Sequence, residues 1–550
     1  MSYGVHKVNG ERGAVASPEP LATQVGIDVL NRGGDAVDAA IAVAFALSVT
    51  YPSAGNIGGG GFLICRSPQG VAHAVDYRET APRAATRDMY LDSNGHVISG
   101  INGPVDGFRA CGVPGTVAGL HTAFQKFGSG KVKWRDLVQP AVDLARSGFF
   151  VSYGLTQSIA QAIDRLALDD VCKSLFLESK SWSPHVQAPR PGHLLRQEVL
   201  AQTLARIRDY GALDFYNGKT AHLLSQDIKN KNGIIDATDM ANYTAKVRRP
   251  LEGSFAGNSV ITMPPPSSGG IAILQMLGML GYLPELPETG TANYVHILVQ
   301  IMRKAFRDRS EYIGDPDFIT VPIKELLSRQ HVANLAKGIG KQTPVRFDDM
   351  QQFQPLPYES DETTHFSVVD QYGGCVSNTY TLNSSFGAAV MSESTGILLN
   401  NEMDDFTSKV GTANQFGLIQ GPQNSIVRGK RPLSSMTPTI IVDKDGNILL
   451  ATGSPGGPTI INTVLHTVLE RVLYRKPLEL VVAAPRFHHQ WKPDIVYLES
   501  TLNHVVPELS YMGYKTEIKK LGDVHAVTWD RSTGASASSD PRGDGLALAQ

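Results

Sequence analysis

Two adjacent threonines, Thr363 and Thr364, stand where the character of the sequence changes. An acidic segment ends at Glu362, and Phe366 begins a pattern typical of a β-strand. A threonine at the start of a chain can attack a carbonyl carbon through its hydroxyl, because its own α-amine, with a pKa of about 7.7, serves as general base. Threonine is also common in strands for packing reasons alone. Thr363 is therefore a candidate nucleophile, and the groups around it decide between a catalytic role and a packing role.

Other polar groups in the chain suit the chemistry of a small amide. Arg78 follows a predicted strand and can hold a carboxylate with two hydrogen bonds, although local sequence alone favours a solvated surface pair with Glu79. The acidic run at 402–405 follows an apolar stretch and can bind an amine or form a solvated loop. Gly456 and Gly457 lie between a predicted strand and a predicted helix, where backbone N–H groups make a good oxyanion site.

The amino-acid composition excludes several classes of protein. The 550 residues are 42% hydrophobic, which is enough to bury a large core. Lys and Arg number 50 against 52 Asp and Glu, so the basic excess that nucleic-acid binding requires is missing. The four cysteines are far apart, which indicates neither a zinc site nor a disulfide framework and fits a reducing compartment.

Targeting signals are not evident in the sequence as it stands. The first seven residues lack the apolar core of a signal peptide, and the longest apolar run, at 39–49, is too short to span a bilayer. We therefore expect a cytoplasmic protein without a membrane span, or a periplasmic or secreted one if the N-terminus has been trimmed.

Periodicity and turn signals predict an α/β protein in two parts. Residues 343–362 lack periodicity and predict an exposed linker that ends at Thr363. Residues 1–362 are predicted to be helix-rich with some sheet strands, and residues 363–550 strand-rich. The predicted helices cover 20–50 in two pieces broken at Gly33-Gly34, 117–127, 134–147, 154–168, 197–211, 218–230, 271–280, 291–312 and 459–473. The predicted strands lie within 62–77 and at 364–370, 375–382, 396–399, 439–442 and 448–452.

Two glycine-rich stretches resemble nucleotide-binding loops, but neither matches the required motif. The run at 58–61 has Leu63 where a dinucleotide fingerprint needs its third glycine. It suits either a loop against a ligand or close packing of the backbone. The stretch at 128–131 resembles a phosphate-binding loop, but Gln125 replaces its first glycine and Val132 its final Ser or Thr.

The ordered set of motifs resembles the γ-glutamyltranspeptidase family over nearly the whole chain. The motifs that carry the resemblance are residues 58–62, 78–79, 113–115, 264–270, 363–365, 381–383, 400–406, 431–436, 453–457, 485–489 and 539–542. The resemblance implies an N-terminal nucleophile hydrolase fold, a four-layer αββα sandwich. It also implies a precursor that cleaves itself between Glu362 and Thr363 into a heterodimer of its own two products.

The resemblance assigns a role to each matching residue. Thr363 is similar to the nucleophile, and Thr381 to the hydroxyl that supports it. The remaining implied roles are the α-carboxylate clamp (Arg78, Ser434, Ser435), the α-amino contacts (Asn383, Glu402, Asp405) and the oxyanion donors (Gly456, Gly457). The implied reaction takes a γ-glutamyl group from glutathione or a similar γ-glutamyl compound and passes it to water, an amino acid or a dipeptide. No cofactor or metal is implied, and His488-His489 lacks zinc spacing.

The chain departs from the family at the lid. Residues 408–423 resemble the lid over the donor pocket in part of the family. That lid commonly carries a tyrosine where this chain has Phe416. We expect a looser lid in consequence. Two alternatives also stay open, namely a related amidase or glutaryl-type acylase and an unprocessed, non-catalytic binding protein of the same fold.

Overall fold

Two antiparallel sheets of seven strands each form the centre of the molecule. The computed structural model describes residues 6–179, 185–340 and 363–550. The strands of the first sheet are, in order across it, Leu546–Ala549, Gly13–Ser17, Thr363–Asp370, Cys375–Thr381, Gly60–Arg66, Ala72–Asp76 and Lys246–Arg248. Those of the second sheet are Lys7–Gly10, Gly534–Ser539, His525–Asp530, Ile448–Thr452, Thr439–Val442, Asn258–Thr262 and Leu251–Phe255.

Helices cover the outer face of each sheet, so the molecule is a four-layer αββα sandwich. Outside the first sheet lie the helices Pro20–Asn31, Ala36–Thr50, Thr116–Phe127, Trp134–Ser147 and Glu198–Tyr210. Outside the second lie Gly269–Leu280, Ala292–Tyr312, Thr459–Val472 and Leu478–Ala483. The buried apolar residues form one cluster beneath each helical layer, and the second cluster also fills the space between the sheets.

Smaller elements complete the fold. The shorter helices are Tyr153–Gln161, Ile163–Leu166, Asp170–Phe176, Ala212–Asn217, Lys219–Asn230, Ala237–Asn242, Ile323–Leu326, Arg329–Ala336 and Val506–Tyr511. The 3₁₀ turns are Gly100–Asn102, Phe108–Ala110, Glu402–Asp405, Pro422–Asn424 and Ser500–Val505. Short strands pair as Phe149–Phe150 with Leu194–Leu195, as Glu178–Ser179 with Val186–Gln187, and as a sheet of Phe487–His488, Val496–Leu498 and Thr516–Ile518.

The most buried helix shows how sequence fixes an element beside the site. Asp35 caps Ala36–Thr50 by accepting hydrogen bonds from the backbone N–H groups of Val37 and Asp38, each at 2.9 Å. All fifteen residues of the helix are buried, in keeping with its Ala- and Val-rich composition. The Tyr380 hydroxyl donates to the Ala44 carbonyl at 3.0 Å and so ties this helix to the strand that ends at Thr381.

Most predicted boundaries agree with the structure within one or two residues. The break between the first two helices, the helix Trp134–Ser147 and the strands Thr439–Val442 and Ile448–Thr452 are confirmed. The predicted helix at 154–168 is wrong as a single element, because it divides at Ala162. The linker predicted at 343–362 lies outside the described residues.

Two parts of the strand prediction are wrong. The strands Lys246–Arg248, Leu251–Phe255 and Asn258–Thr262 lie inside a region predicted to be mainly helical. Leu251–Phe255 is only half-buried, so it mixes polar and apolar residues and lacks a clear strand pattern. The sequence did contain a hairpin signal, because the turn at Ala256-Gly257 has φ of 48° and 80°. No regular strand forms at 396–399, where only Leu398 pairs, with Met391.

Both parts of the chain contribute to both sheets. The first sheet places Thr363–Asp370 between Gly13–Ser17 and Cys375–Thr381. In the second sheet, Asn258–Thr262 pairs with Thr439–Val442. Residues before and after Thr363 therefore share one core. Among the described residues, no helix has the length and apolar character needed to cross a bilayer, and the four cysteines are buried free thiols.

Candidate active site

Thr363 and Thr381 face each other across the centre of the first sheet. They are a register pair of neighbouring strands, and their hydroxyl oxygens are 3.4 Å apart. The Thr381 hydroxyl also accepts a hydrogen bond from the backbone N–H of Asn383 at 2.8 Å. Thr363 is 5% exposed, so its hydroxyl is shielded from bulk water. This geometry suits a nucleophile with a hydroxyl partner.

The glycine run at 58–61 serves close packing beside this pair. A Cβ at Gly58 would overlap with the carbonyl oxygen of Leu398, and one at Gly59 with the carbonyl oxygen of Thr381. Gly60 opposes Thr381 in the neighbouring strand. The run therefore brings the backbone against the strand that carries Thr381, and it does not line the cleft. Of the two interpretations left open by the sequence, the packing interpretation fits the structure.

A small cleft opens beside the Thr363 hydroxyl. Its lining comprises Arg78, Arg309, Thr363, Thr381, Asn383, Asp405, Phe416, Leu418, Ser434, Ser435, Met436, Gly457, Pro458 and Ile460. Eight of the residues proposed from sequence, together with the lid residue Phe416, thus come together in one place. Glu402 and Gly456 are not among the lining residues, and Glu362 falls outside the described residues.

Arg78 is surrounded by side-chain carboxyl groups. Its Nη1 is 2.8 Å from a Glu402 oxygen, and its Nη2 donates to Asp405. Nε and Nη2 also donate to the carbonyls of Pro432 and Leu433, both at 3.3 Å. Although burial alone would lower it, the carboxylates of Glu402 and Asp405 hold the pKa of Arg78 above its ordinary value. Arg78 is therefore a buried counter-ion, and a surface pair with Glu79 is excluded.

The acids around Arg78 are too close together for all of them to be charged. Glu79 is fully buried, and burial raises its pKa to about 8. Burial also raises the pKa of Glu402 well above its usual range, with the charges of Glu79 and Asp405 adding to the effect. Burial therefore favours the protonated form of Glu79 near neutral pH, whereas Glu402 and Asp405 are in direct contact with Arg78.

Asn383 and the serine pair line the cleft. The side-chain amide of Asn383 donates to the Asn401 carbonyl at 3.2 Å. The Ser434 carbonyl accepts from the N–H and the hydroxyl of Ser268 at 2.8 and 2.7 Å, which fixes the backbone of the pair. The Ser434 hydroxyl accepts from the Met436 N–H at 3.1 Å. Both serine hydroxyls are thus held by residues around them.

Sequence reasoning missed Arg309. Its guanidinium is buried, and it donates to the hydroxyls of Ser268 at 3.0 Å and Ser435 at 3.2 Å. A signal was present in the sequence, because Arg309 falls at the spacing of the apolar face formed by Leu298, Met302 and Ala305. A charge on an apolar helix face is rare and indicates a function.

Gly456 and Gly457 form the turn into the helix Thr459–Val472. Both have positive φ, 118° and 52°, which glycine tolerates. Their carbonyls point towards the helix, since Gly456 accepts from the Thr459 N–H at 3.0 Å and Gly457 from the Ile460 N–H at 3.2 Å. Neither glycine N–H donates to a described residue. The Gly457 N–H at the cleft wall therefore suits an oxyanion.

Phe416 and Leu418, from the segment at 408–423, line the cleft, as residues of a lid would. The Phe416 ring packs over Gly457, where an added Cβ would lie 3.0 Å from the ring. Gln415 accepts from the Ser384 hydroxyl at 2.7 Å, and its N–H donates to Asp404 at 3.0 Å. The Asn414 amide donates to Asp405 at 3.3 Å. These bonds hold the segment shut without a tyrosine at position 416.

The two histidines of the 485–489 motif have a structural role. His488 contacts Gln490 at 2.9 Å and His489 contacts Asp494 at 2.9 Å. Burial lowers the pKa of His488 to about 3, so it is neutral. Gln490 in turn donates to the Phe416 carbonyl at 2.9 Å and anchors the lid. Across the described ranges, no group of three or more His, Cys, Asp or Glu side chains is placed to hold a metal ion.

The four-layer sandwich, with a threonine at the start of a central strand, defines an N-terminal nucleophile hydrolase. A solved structure with this fold is a cephalosporin acylase from Bacillus halodurans, with a TM-score of 0.84 over 99% of this chain and 97% of that chain. At 24% identity, this similarity shows the fold alone.

Sequence comparison gives the family. The γ-glutamyltranspeptidase family profile matches residues 22–550. A glutathione hydrolase proenzyme from Escherichia coli is 41% identical over 98% of this chain and 93% of its own. A γ-glutamyltranspeptidase from Pseudomonas nitroreducens, solved with L-DON, is 40% identical and covers 60% of this chain and 95% of its own, with a TM-score of 0.54. The chain belongs to the γ-glutamyltranspeptidase family, and it is an enzyme of γ-glutamyl transfer and hydrolysis.

The hydrogen bonds of the lid predict how firmly it stays shut. Gln415→Ala removes the bond to Ser384, which contributes about 1 kcal/mol. Amide hydrogen exchange over residues 412–418 should then rise roughly fivefold, because local opening becomes easier by that amount. Val410→Ala, at an exposed lid position, is the control and should leave the exchange unchanged. Unchanged exchange in Gln415→Ala would show that the Asn414 and Gln490 bonds alone hold the lid.

Proposed function

We propose that Thr363 becomes the N-terminal nucleophile of a γ-glutamyltransferase and glutathione hydrolase after the chain cuts itself between Glu362 and Thr363. The single observation that carries this proposal is the position of Thr363. It begins a central strand, its hydroxyl lies 3.4 Å from that of Thr381, and it opens on the cleft. The proenzyme name of the Escherichia coli relative agrees with this step.

Self-cleavage uses the same hydroxyl that later acts on the substrate. The Thr363 hydroxyl attacks the carbonyl carbon of the preceding peptide bond, and an ester replaces the amide. Water then hydrolyses the ester, which leaves a carboxylate on Glu362 and a free α-amine on Thr363. Since strands from both products share both sheets, residues 1–362 and 363–550 stay together as a heterodimer.

Acyl transfer then proceeds through an ester on Thr363. The α-amine takes the proton of the hydroxyl as the oxygen attacks the γ-amide carbonyl, and it gives that proton to the leaving amine. The Gly456 and Gly457 N–H groups stabilise the oxyanion. Water, or the amine of an amino acid or dipeptide, next attacks the ester. This releases glutamate or a new γ-glutamyl amide and restores the Thr363 hydroxyl.

Recognition of the donor depends on the charged wall of the cleft. Asp405 and Asn383 receive the α-amine, because each presents an oxygen acceptor there. Ser434, Ser435 and the arginine side of the wall receive the α-carboxylate. Arg78 also lines the cleft and belongs to this carboxylate side, while Glu402 pairs with Arg78 and so helps to fix Asp405. The cleft therefore favours a donor that carries both an amine and a carboxylate.

Replacing the nucleophile should abolish processing. Wild-type protein should run on a denaturing gel as two fragments, into which 59.3 kDa divides by length as roughly 39 and 20 kDa. Thr363→Ala should give a single full-length band and no turnover of a γ-glutamyl anilide. Thr364→Val, at a buried position that faces Tyr380 across the strands, should be processed normally. A small fragment whose N-terminus is not Thr363 would overturn the proposed cleavage site.

Arg78→Gln should raise the KM for a γ-glutamyl anilide strongly. Loss of a buried charge partner costs on the order of 2–4 kcal/mol, and the substitution also releases Asp405 from its counter-ion. Self-cleavage should remain intact, which the denaturing gel shows. Arg87→Gln, whose side chain is 65% exposed, serves as the matched control. A wild-type KM in Arg78→Gln would remove Arg78 from donor recognition.

Phe416→Tyr should raise the ratio of transfer to hydrolysis. A tyrosine hydroxyl at this position can bond to a polar wall group such as Asn383, which adds about 1 kcal/mol to lid closure and limits water entry. The ratio is measured with glycylglycine and a γ-glutamyl anilide at fixed pH, and the partly exposed Phe318→Tyr is the control. An equal or lower ratio would mean that the existing lid bonds already suffice.

A further inference from the structure

Arg309 is the charged residue of the cleft wall that the family resemblance leaves without a role. It reaches the cleft from the long helix Ala292–Tyr312, and 2% of its surface is exposed. Its Nε and Nη2 donate to the hydroxyls of Ser268 and Ser435. Within the described ranges, no carboxylate oxygen lies within 4.0 Å of its guanidinium nitrogens.

The two arginines of the cleft differ in the groups that contact their guanidinium nitrogens. Arg78 faces Glu402 and Asp405, and two backbone carbonyls take its remaining N–H groups. Arg309 donates hydrogen bonds only to neutral hydroxyls, and the charges of Asp405 and Arg78 act on it from further away. Burial lowers the pKa of Arg309 to about 10, so it still carries its charge at neutral pH. A buried charge without a partner is costly, and an anionic ligand removes that cost.

We propose that Arg309 is a specificity-determining residue that receives the α-carboxylate of the donor, together with Ser434 and Ser435. This rests on the proposed function. Ser435 belongs to the carboxylate side of the cleft and already accepts a hydrogen bond from Arg309 at 3.2 Å. A carboxylate placed on the serine pair would meet the free charge of Arg309 without displacing Asp405 from Arg78. The ligand class is an α-amino acid head group, recognised at its carboxylate.

A purely structural role for Arg309 predicts a different effect of its loss on the donors. If Arg309 only supports the fold, its loss should weaken all donors alike. If it acts only by holding Ser435, its loss should change nothing further in a Ser435→Ala background. If it binds the carboxylate itself, its loss should weaken only donors that carry one, also in Ser435→Ala. Two anilides, tested also in the Ser435→Ala background, separate these roles, namely the γ-glutamyl anilide and the 4-aminobutanoyl anilide. The second keeps the amine and the scissile amide and lacks only the α-carboxylate.

The experiment compares kcat/KM for the two anilides in the processed wild-type enzyme and in Arg309→Gln, Arg309→Met and Arg309→Lys. In Arg309→Gln and Arg309→Met, the preference for the γ-glutamyl anilide should fall at least tenfold, mainly through KM, with the 4-aminobutanoyl anilide changed less than threefold. Arg309→Lys keeps the charge and should retain more of the preference than either. Arg307→Gln, on the same helix with its side chain 44% exposed, should behave as wild type.

Several outcomes would overturn the inference. One is an unchanged preference in the charge-free variants, and another is an equal loss on both anilides. A third is that Arg309→Lys is processed and active while both charge-free variants remain single chains, which would assign the charge to folding. Failure of the wild-type enzyme to turn over the γ-glutamyl anilide would instead overturn the proposed function itself.

Discussion

The antiparallel pairing of the strand Thr363–Asp370 with its two neighbours is the constraint on which the site depends. Gly13–Ser17 holds this strand on one side and Cys375–Thr381 on the other, with register pairs that run from Thr363 and Thr381 to Val369 and Cys375. Thr363 is paired with Thr381 on one side, and Ser367–Asp370 are paired with Gly13–Ala16 on the other, so the strand is fixed independently of the peptide bond before it. Cutting that bond can therefore release an α-amine at Thr363 without moving the hydroxyl.

The charges around Thr363 follow from the same packing. Dense burial disfavours the charged forms of Glu79 and Glu402, as their raised pKa values show. Asp405 and the two arginines, Arg78 and Arg309, are left at the cleft wall. A site with charges of both signs complements the zwitterionic head group of an amino acid. Neither charge on its own would distinguish such a donor from a simple amine or a simple acid.

The sequence was informative where local rules decide the structure. Buried strands such as Thr439–Val442, and helices with a clear cap such as Asp35, were placed well because burial and capping leave plain signals. The edge hairpin at 251–262 was missed because a half-buried strand mixes polar and apolar residues. Arg309 was missed because its significance comes from a cleft that joins segments distant in sequence. The same holds for the pairing of Arg78 with Glu402, which no local pattern encodes.

The lid and the donor site are coupled through one short turn. Glu402–Asp405 is a buried 3₁₀ turn, and two of its acids hold the lid, since Asp404 accepts from the Gln415 N–H and Asp405 from the Asn414 amide. Asp405 also faces the cleft and Arg78. An amine that binds Asp405 competes with Asn414 for the same carboxylate, whereas the Asp404 bond is unaffected. Because burial raises the pKa of Asp404 to about 7, the charge on this second anchor changes near neutral pH. In the proposed function, occupancy of the donor site and closure of the lid are therefore linked by neighbouring carboxylates rather than by the residue at position 416 alone.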